Sequence, residues 1–267
     1  MQEWIEKLNA IDGILATPNA MIASHTPLRV GGRVDAWVRC QNRDALQKAM
    51  PLIRKQNWKT HSPFQDCLFR DGSQKGILLR LEGDFEQIIQ NGDSIQIGSS
   101  ALWTSLSPQG LGQIFYKWPG SVGGLFEENP ENYLRNLDIE VEWFSGRSFQ
   151  SQKINSWKSF QLPSKGILTQ ITISGKPRRK ITPPLGSGFV FTLPKNQMPE
   201  NLLQTLSLDS VRLHDWKIST EDPNRLVHLG RKGFSDLQLL QKALNQRLKQ
   251  IYNTSLEIRL PIYGRNT

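Results

Sequence analysis

The chain has 267 residues, enough for one large domain or two to three small ones around a core of ordinary size. A composition of 37% hydrophobic and 21% charged residues excludes a disordered chain, and no apolar run approaches the ~20 residues a membrane-spanning helix needs. The net charge of +9 leaves a choice of partner between nucleic acid and a smaller anionic ligand.

In chain order, the first predicted element is a short helix over residues 3–8. Glu3 and Glu6 interrupt its apolar positions, and no signal-peptide core is present, so export is not expected. Residues 29–40 alternate like a strand around Gly31-Gly32. Residues 44–56 have helical spacing, with apolar Ala45, Ala49, Leu52 and Ile53. Asp71-Gly72 and Asn91-Gly92 are ordinary turn pairs on either side of a strand over 77–81, and 94–98 is another strand. Leu137, Ile139, Val141 and Trp143 alternate through 137–144, and a further strand covers 166–174. The basic run Lys176-Pro177-Arg178-Arg179-Lys180 then reads as a linker. The last helix carries a capping box, Ser235 with Gln238, and sets Leu237, Leu240, Leu244, Leu248 and Ile251 along one face. Short strands mixed with few helices predict an α+β architecture with a boundary near residue 178 and no internal repeat.

No aromatic platform, zinc finger or helix-turn-helix accompanies the basic run, so nucleic acid is not the expected partner; a solvated basic surface facing a sugar nucleotide is. Cys40 and Cys67 cannot form a disulfide framework, and no CxxC or Cys/His cluster exists, so no metal is expected and a reducing cytoplasm fits. His25, His61, His214 and His228 stand in unrelated contexts and read as packing or surface residues. Trp118, Trp157 and Trp216 read as core.

One stretch stands out. In Pro119-Gly120-Ser121-Val122-Gly123-Gly124, proline fixes the entry of a turn and the glycines permit positive φ and close backbone approach. Free N–H groups in such a turn would suit a pyrophosphate. The fold alone can also require these glycines, and the same holds for Gly31 and Gly32.

The context of this turn resembles the UDP-N-acetylenolpyruvoylglucosamine reductases, MurB-type flavoenzymes of peptidoglycan precursor synthesis, over residues 25–264. His25-Thr26-Pro27-Leu28-Arg29-Val30-Gly31-Gly32 resembles the family's "NT..R.GG", and residues 118–124 its "IPGTVGG" flavin loop. Trp216-Lys217-Ile218-Ser219 with Asn224, Val227 and Gly230 is similar to "A.VS.KHANF.VN.G", and Leu256-Glu257 with Gly264 to "LEPEV...G". The resemblance implies a two-lobed FAD-binding fold of the vanillyl-alcohol-oxidase type, with lobes at 1–82 and 83–178, plus a C-terminal α+β substrate-binding lobe at 179–267. It implies cofactor contacts at Gly31, Gly32, Pro119, Gly120, Ser121, Val122, Gly123 and Gly124.

The departures from the family's pattern are concentrated where flavin and substrate would meet the protein. The pyrophosphate loop "GGGSN" falls on Ser62-Pro63-Phe64-Gln65-Asp66, which loses an amide donor, gains bulk and adds a negative charge. The family's "NAGAYG" becomes Glu128-Asn129-Pro130-Glu131-Asn132-Tyr133, and Glu127, Glu128 and Glu131 would repel an anionic cofactor. The family's arginine in "YR" is matched by Trp157-Lys158, and its serine acid by Phe189, which has no proton to give. Its C-terminal glutamate falls on Arg259, or on Glu257 if the register is shifted. Ser187 could replace the lost hydroxyl only in a rebuilt turn. "KHANF" becomes Glu221-Asp222-Pro223-Asn224-Arg225, which keeps only the asparagine.

Two readings follow. In the first the chain is a degenerate relative with flavin binding and reductase chemistry lost, which expects no cofactor and a protein or UDP-sugar partner in the cell-wall pathway. In the alternative it is a divergent, active FAD-dependent and NADPH-consuming reductase, with Lys158, Ser187 and Glu257 as its catalytic groups.

Overall fold

The structure is a computed structural model; it describes residues 3–62, 67–128, 130–157, 160–163, 165–175, 181, 183–186, 190–192, 215–219, 225–230 and 233–264. The basic run at 176–180 lies outside these residues. The chain forms two units: Met1–Ala20, Val34–Gln65 and Lys75–Pro184 make one, and Met21–Arg33, Asp66–Gln74 and Leu185–Thr267 the other. The architecture is α+β, as the mixture of short strands and few helices predicts.

The first unit starts with helix α1 (Glu3–Asn9) and strand β1 (Ile14–Met21). The Asn9 side chain bonds both the amide and the carbonyl of Ala16, at 2.6 and 3.0 Å, and so ties the helix to the strand. Strand β2 (Arg33–Cys40) begins four residues later than the alternation predicts. Arg29 at φ +52° and Gly31 at φ +134° leave the extended region, so residues 29–32 form a loop and not the start of a strand. Helix α2 (Arg43–Ile53) is capped by the Asn42 side chain, which accepts from the Ala45 amide at 2.8 Å. It buries Ala45, Leu46, Ala49, Met50 and Ile53, while Leu52 is only half-buried.

Strands β3 (Trp58–Thr60) and β5 (Gln74–Leu81) pair in parallel and complete a four-stranded sheet in the order β1-β2-β5-β3. Between them in sequence lies β4 (Leu68–Phe69). A second, five-stranded antiparallel sheet has the order β6-β7-β10-β8-β9. Its strands are β6 (Ile88–Asn91), β7 (Ser94–Gly98), β8 (Asp138–Phe144), β9 (Phe149–Lys153) and β10 (Ile167–Ser174). Helices α3 (Val122–Glu128) and α4 (Glu131–Leu134) precede β8.

Each sheet has its own core. Val38, Leu79 and Phe85 pack with α2 in one, and Ile97, Val141 and Ile171 pack with Trp103 and Phe115 in the other. Ile139, Val141 and Trp143 face the second core as their alternation predicts. Phe144 turns to the opposite face, joins the first core and stacks on Phe149 at 4.9 Å. Arg43 of α2 forms a bidentate pair with Glu142 of β8, both bonds at 2.8 Å, and Thr169 donates to the same carboxylate at 2.6 Å.

The second unit is built on helix α5 (Phe234–Tyr252), which buries Leu237, Leu240, Leu244 and Leu248 against Val190, Trp216, Leu226 and Leu256. The expected fifth member of that stripe, Ile251, is 62% exposed, and the next residue, Tyr252, packs against the core in its place. Strands β11 (Phe191–Thr192) and β14 (Glu257–Ile258) pair, as do β12 (Trp216–Ile218) and β13 (Leu226–His228). The last strand, β15 (Ile262–Tyr263), lies parallel to β4.

The predicted capping box does not form. Ser235 lies inside α5, and the N-terminal residue Gly233 offers no side chain. The capping oxygens belong to Asp71, which accepts from the amides of Phe234 and Ser235 at 3.0 and 2.9 Å. Asp71-Gly72 is therefore more than a turn pair: Asp71 is the cap of a helix more than 160 residues downstream.

Candidate functional site

Trp118 is buried against Trp103 and Phe115, with ring centroids 5.3 and 5.0 Å away, and this cluster fixes the entry to the glycine turn. Gly120 takes φ +74°, a conformation side chains disfavour, and its carbonyl accepts from the Trp103 amide at 3.2 Å. Buried Ser121 is the cap of α3; its hydroxyl oxygen accepts from the Gly124 amide at 3.2 Å. The Val122 amide donates to the Ala101 carbonyl at 3.1 Å, and the Gly123 amide to the Ser99 carbonyl at 2.6 Å.

The first amides of a helix have no partner within the helix, which is what makes such an end attractive to phosphate. Here Val122, Gly123 and Gly124 all donate to other groups of the chain. The expectation of free N–H groups in this turn is corrected for these three. Gly123 is required by close approach: a Cβ there would stand 2.5 Å from the Ser62 hydroxyl oxygen and 2.9 Å from the Ser99 carbonyl oxygen.

Around Gly123 the first unit encloses a space of about 60 Å³, bordered by Thr60, Ser62, Ser99 and Ser100 and by apolar residues including Leu79 and Phe126. That is below the roughly 300–1,000 Å³ of ligand pockets. Among the described residues, the turn that would meet a flavin pyrophosphate has its Val122, Gly123 and Gly124 amides engaged by other groups of the chain. Residues 63–66 lie outside the described residues, as do the side chains of Glu127 and Glu128.

Gly31 and Gly32 belong to the second unit, apart in the chain's organisation from the turn at 119–124. A Cβ on Gly31 would approach that of Phe69 to 2.8 Å, and one on Gly32 would overlap the Asp71 carbonyl oxygen. The Gly32 amide donates to the Arg70 carbonyl at 3.1 Å. Both glycines thus have a packing reason to be glycine, and only Gly31 needs positive φ as well.

Of the predicted reaction-centre residues, Lys158, Ser187 and Phe189 lie outside the described residues. Glu257 is exposed on β14, opposite Thr192. Arg259 is half-buried; its amide donates to the Val190 carbonyl at 2.8 Å and its guanidinium Nη2 to the Gly186 carbonyl at 3.2 Å. The structure therefore brings Arg259, not Glu257, to the two residues that flank positions 187–189.

Among the histidines, His228 is buried beneath Trp216 at 4.7 Å, with Nδ1 3.0 Å from the Leu28 carbonyl oxygen. His61 is buried edge-on to Trp37 at 5.3 Å. Both are packing residues. Among the described residues no group of three or more His, Cys, Asp or Glu is placed to hold a metal, and no helix is long and apolar enough to cross a membrane.

The cap from Asp71 and the engaged turn amides left no local signal in sequence, since both join segments far apart in the chain. Arg259 was visible only through the ungapped family register.

The fold is α+β and divides into two units. It superposes on the crystal structure of UDP-N-acetylenolpyruvylglucosamine reductase (MurB) from Thermus caldophilus with a TM-score of 0.65 at 20% identity, covering 94% of this chain and 99% of that one. No family model matches the chain. The UDP-N-acetylenolpyruvoylglucosamine reductase of Anoxybacillus flavithermus is 24% identical over 283 residues, 92% of this chain and 94% of the relative. That of Bacillus subtilis is 24% identical over 305 residues, covering both chains completely. The chain is a divergent relative of the UDP-N-acetylenolpyruvoylglucosamine reductases.

Proposed function

We propose that this protein is a non-catalytic relative of those reductases which binds a UDP-sugar, or a protein partner, of peptidoglycan precursor synthesis in the cytoplasm. It carries no FAD and has lost reductase chemistry. The observation that carries this reading is the turn at 119–124, whose Val122, Gly123 and Gly124 amides are used by the chain itself beside a space of about 60 Å³. Arg259 beside Gly186 and Val190 supports the second half of it, because a guanidinium cannot act as a proton donor at neutral pH. Phe189 offers no alternative donor.

The division into lobes at 1–82, 83–178 and 179–267 belongs to the same proposal. Separate cores around α2, around Trp103 and Phe115, and around α5 support a three-part division, with the core around α5 also taking in Leu28, Val30 and Leu68 from the first stretch. Cytoplasmic residence is supported by Cys40 and Cys67, which are both buried thiols without a disulfide.

The alternative, an active FAD- and NADPH-dependent reductase, is favoured by one observation: the similarity to reductases runs the full length of the chain. One experiment separates the two. The purified protein should be colourless, and added FAD should pass through gel filtration unbound. Stoichiometric flavin absorbance travelling with the protein would overturn the proposal.

A further inference from the structure

We propose that the exposed face of α5 is a docking groove for an extended, acidic segment of a partner protein. The inference names the chemistry of the protein partner in the reading above and rests on that arm of it.

The groove follows from how α5 ends. Asn253 takes φ +50°, so the chain leaves the helix through a left-handed residue and turns back beside it. Two carboxamides of the helix hold the returning chain. Gln241 Nε2 and Asn245 Nδ2 donate to the Leu256 carbonyl at 2.9 and 3.1 Å, and Asn245 Oδ1 accepts from the Leu256 amide at 2.7 Å. Between the helix and Ser255 lies an open groove of about 580 Å³, lined also by Gln238, Lys242, Gln246 and Lys249. Its volume falls within the roughly 300–1,000 Å³ of ligand sites. Because Leu256 is fixed on both its backbone groups, the groove is formed before any ligand arrives, which lowers the entropy lost on binding.

The charge of this face is one-sided. Residues 237–252 carry Lys242, Arg247 and Lys249 and no Asp or Glu. Lys242 and Lys249 are exposed, and the ion pairs formed among the described residues belong to other side chains. Seven residues apart, these two lie two turns from each other on one helix face, about 10 Å along the axis.

The lining selects a peptide over a phosphate ligand. None of its side chains is aromatic or a guanidinium, so bases have no stacking platform and phosphates no planar fork. The middle of a helix has no unbonded amides to offer a phosphate either. Carboxamides such as Gln238 and Gln246 carry a donor and an acceptor each, as does every peptide unit of an extended backbone. From Gln238 to Lys249 the groove spans about 16 Å, the length of about five extended residues. Two ammonium groups on one face then call for carboxylates on one face of the segment, at alternate positions.

The test uses two fluorescein-labelled peptides, five Glu-Thr repeats and five Gln-Thr repeats, titrated with the full chain by fluorescence anisotropy. The wild-type protein should bind the acidic peptide at least about tenfold more tightly, with the difference shrinking as ionic strength rises through about 0.15 M. Lys242→Gln together with Lys249→Gln should remove most of that preference. The same loss of charge at exposed positions of the first unit, Lys75→Gln with Lys153→Gln, should leave it within about twofold. A wild-type preference near one, or equal losses in the two double variants, overturns the inference. So does tighter binding of a labelled ten-nucleotide oligothymidylate that is lost with Lys242 and Lys249, which would mark the groove as a phosphate site. None of these outcomes involves flavin, so the gel-filtration test of the reading above stands or falls separately.

Discussion

Asp71 accepts a hydrogen bond from the Ser235 amide at 2.9 Å and another from the Ser235 hydroxyl at 2.7 Å, across 164 positions of sequence. This contact starts the helix that organises the second unit. Burial by itself would raise the pKa of Asp71, but the amides of Ser235 and Phe234 and the Ser235 hydroxyl outweigh it and hold the carboxyl below its ordinary value. A carboxyl whose folded-state pKa is depressed stabilises the fold at pH above its unfolded pKa, roughly 3.9, and that contribution disappears as pH falls through the folded value. Asp71→Ala should therefore cost about 0.5–2 kcal/mol at pH 7, the range for a lost helix cap. Urea unfolding of wild type and variant should converge as the pH is lowered below about 4. A gap that stays constant from pH 7 to acid would show that the carboxylate charge is not the stabilising feature.

Gly123→Ala should destabilise the first unit by roughly 1–3 kcal/mol, the cost of forcing an added methyl into a packed site. Its Cβ would meet the Ser62 hydroxyl oxygen at 2.5 Å and the backbone carbonyl of Ser99 at 2.9 Å, and the carbonyl cannot rotate away. Thermal melting measures this. An unchanged melting temperature would mean that the space beside Gly123 yields more readily than the geometry implies.

The bidentate pair of Arg43 and Glu142 joins α2 to β8, and Phe149 lies 3.9 Å under the same guanidinium. Side-chain exposures of 41% and 20% mean that solvent screens the pair. A double-mutant cycle with Arg43→Ala and Glu142→Gln should give a coupling of about 0.5–1.5 kcal/mol, above the usual surface pair because the geometry is bidentate and Thr169 shares the carboxylate. Additive single-variant effects would show that the two side chains act independently.

Burial pushes the Cys40 thiol up to about 12. Thiolate is the reactive form, so native Cys40 should resist alkylation at pH 8, and buried Cys67 should be shielded from reagent as well. Counting thiols with a chromogenic disulfide should find essentially none in the native protein and two in denaturant. Rapid labelling of the native protein would place one of them at the surface.

Under the proposed reading, Phe189→Ser would put a hydroxyl where the resemblance implies the family's acid, but it leaves the turn at 119–124 as it is. The variant, like the wild type, should not consume NADPH in the presence of UDP-N-acetylglucosamine enolpyruvate and FAD. A positioned acid contributes about 10² to 10⁴ in rate, which is of no use without a bound flavin. Steady substrate-dependent NADPH oxidation by the wild type would favour the active-reductase reading, and Lys158, Ser187 and Glu257 would be the residues to substitute next.

Periodicity was enough to locate α2, the core of β8 and the Leu237–Leu240–Leu244–Leu248 stripe of α5, because each buries one face whose spacing repeats within a few residues. The family resemblance and the glycine turn were also legible, since a motif is a local string. Tertiary structure decided the rest. It placed the helix cap on Asp71 instead of Ser235, because a carboxylate brought alongside by the chain's path leaves the serine free to sit inside the helix. It exposed Ile251 and set the neighbouring Tyr252 against the core. The amides of Val122 and Gly123 were taken up by carbonyls more than 20 residues earlier, and Arg259 was set beside Gly186 and Val190 by a two-residue ladder. Such pairings depend on which distant segments meet, and a hydrogen-bond partner contributed by a distant segment leaves no period, spacing or composition at the residue that receives it.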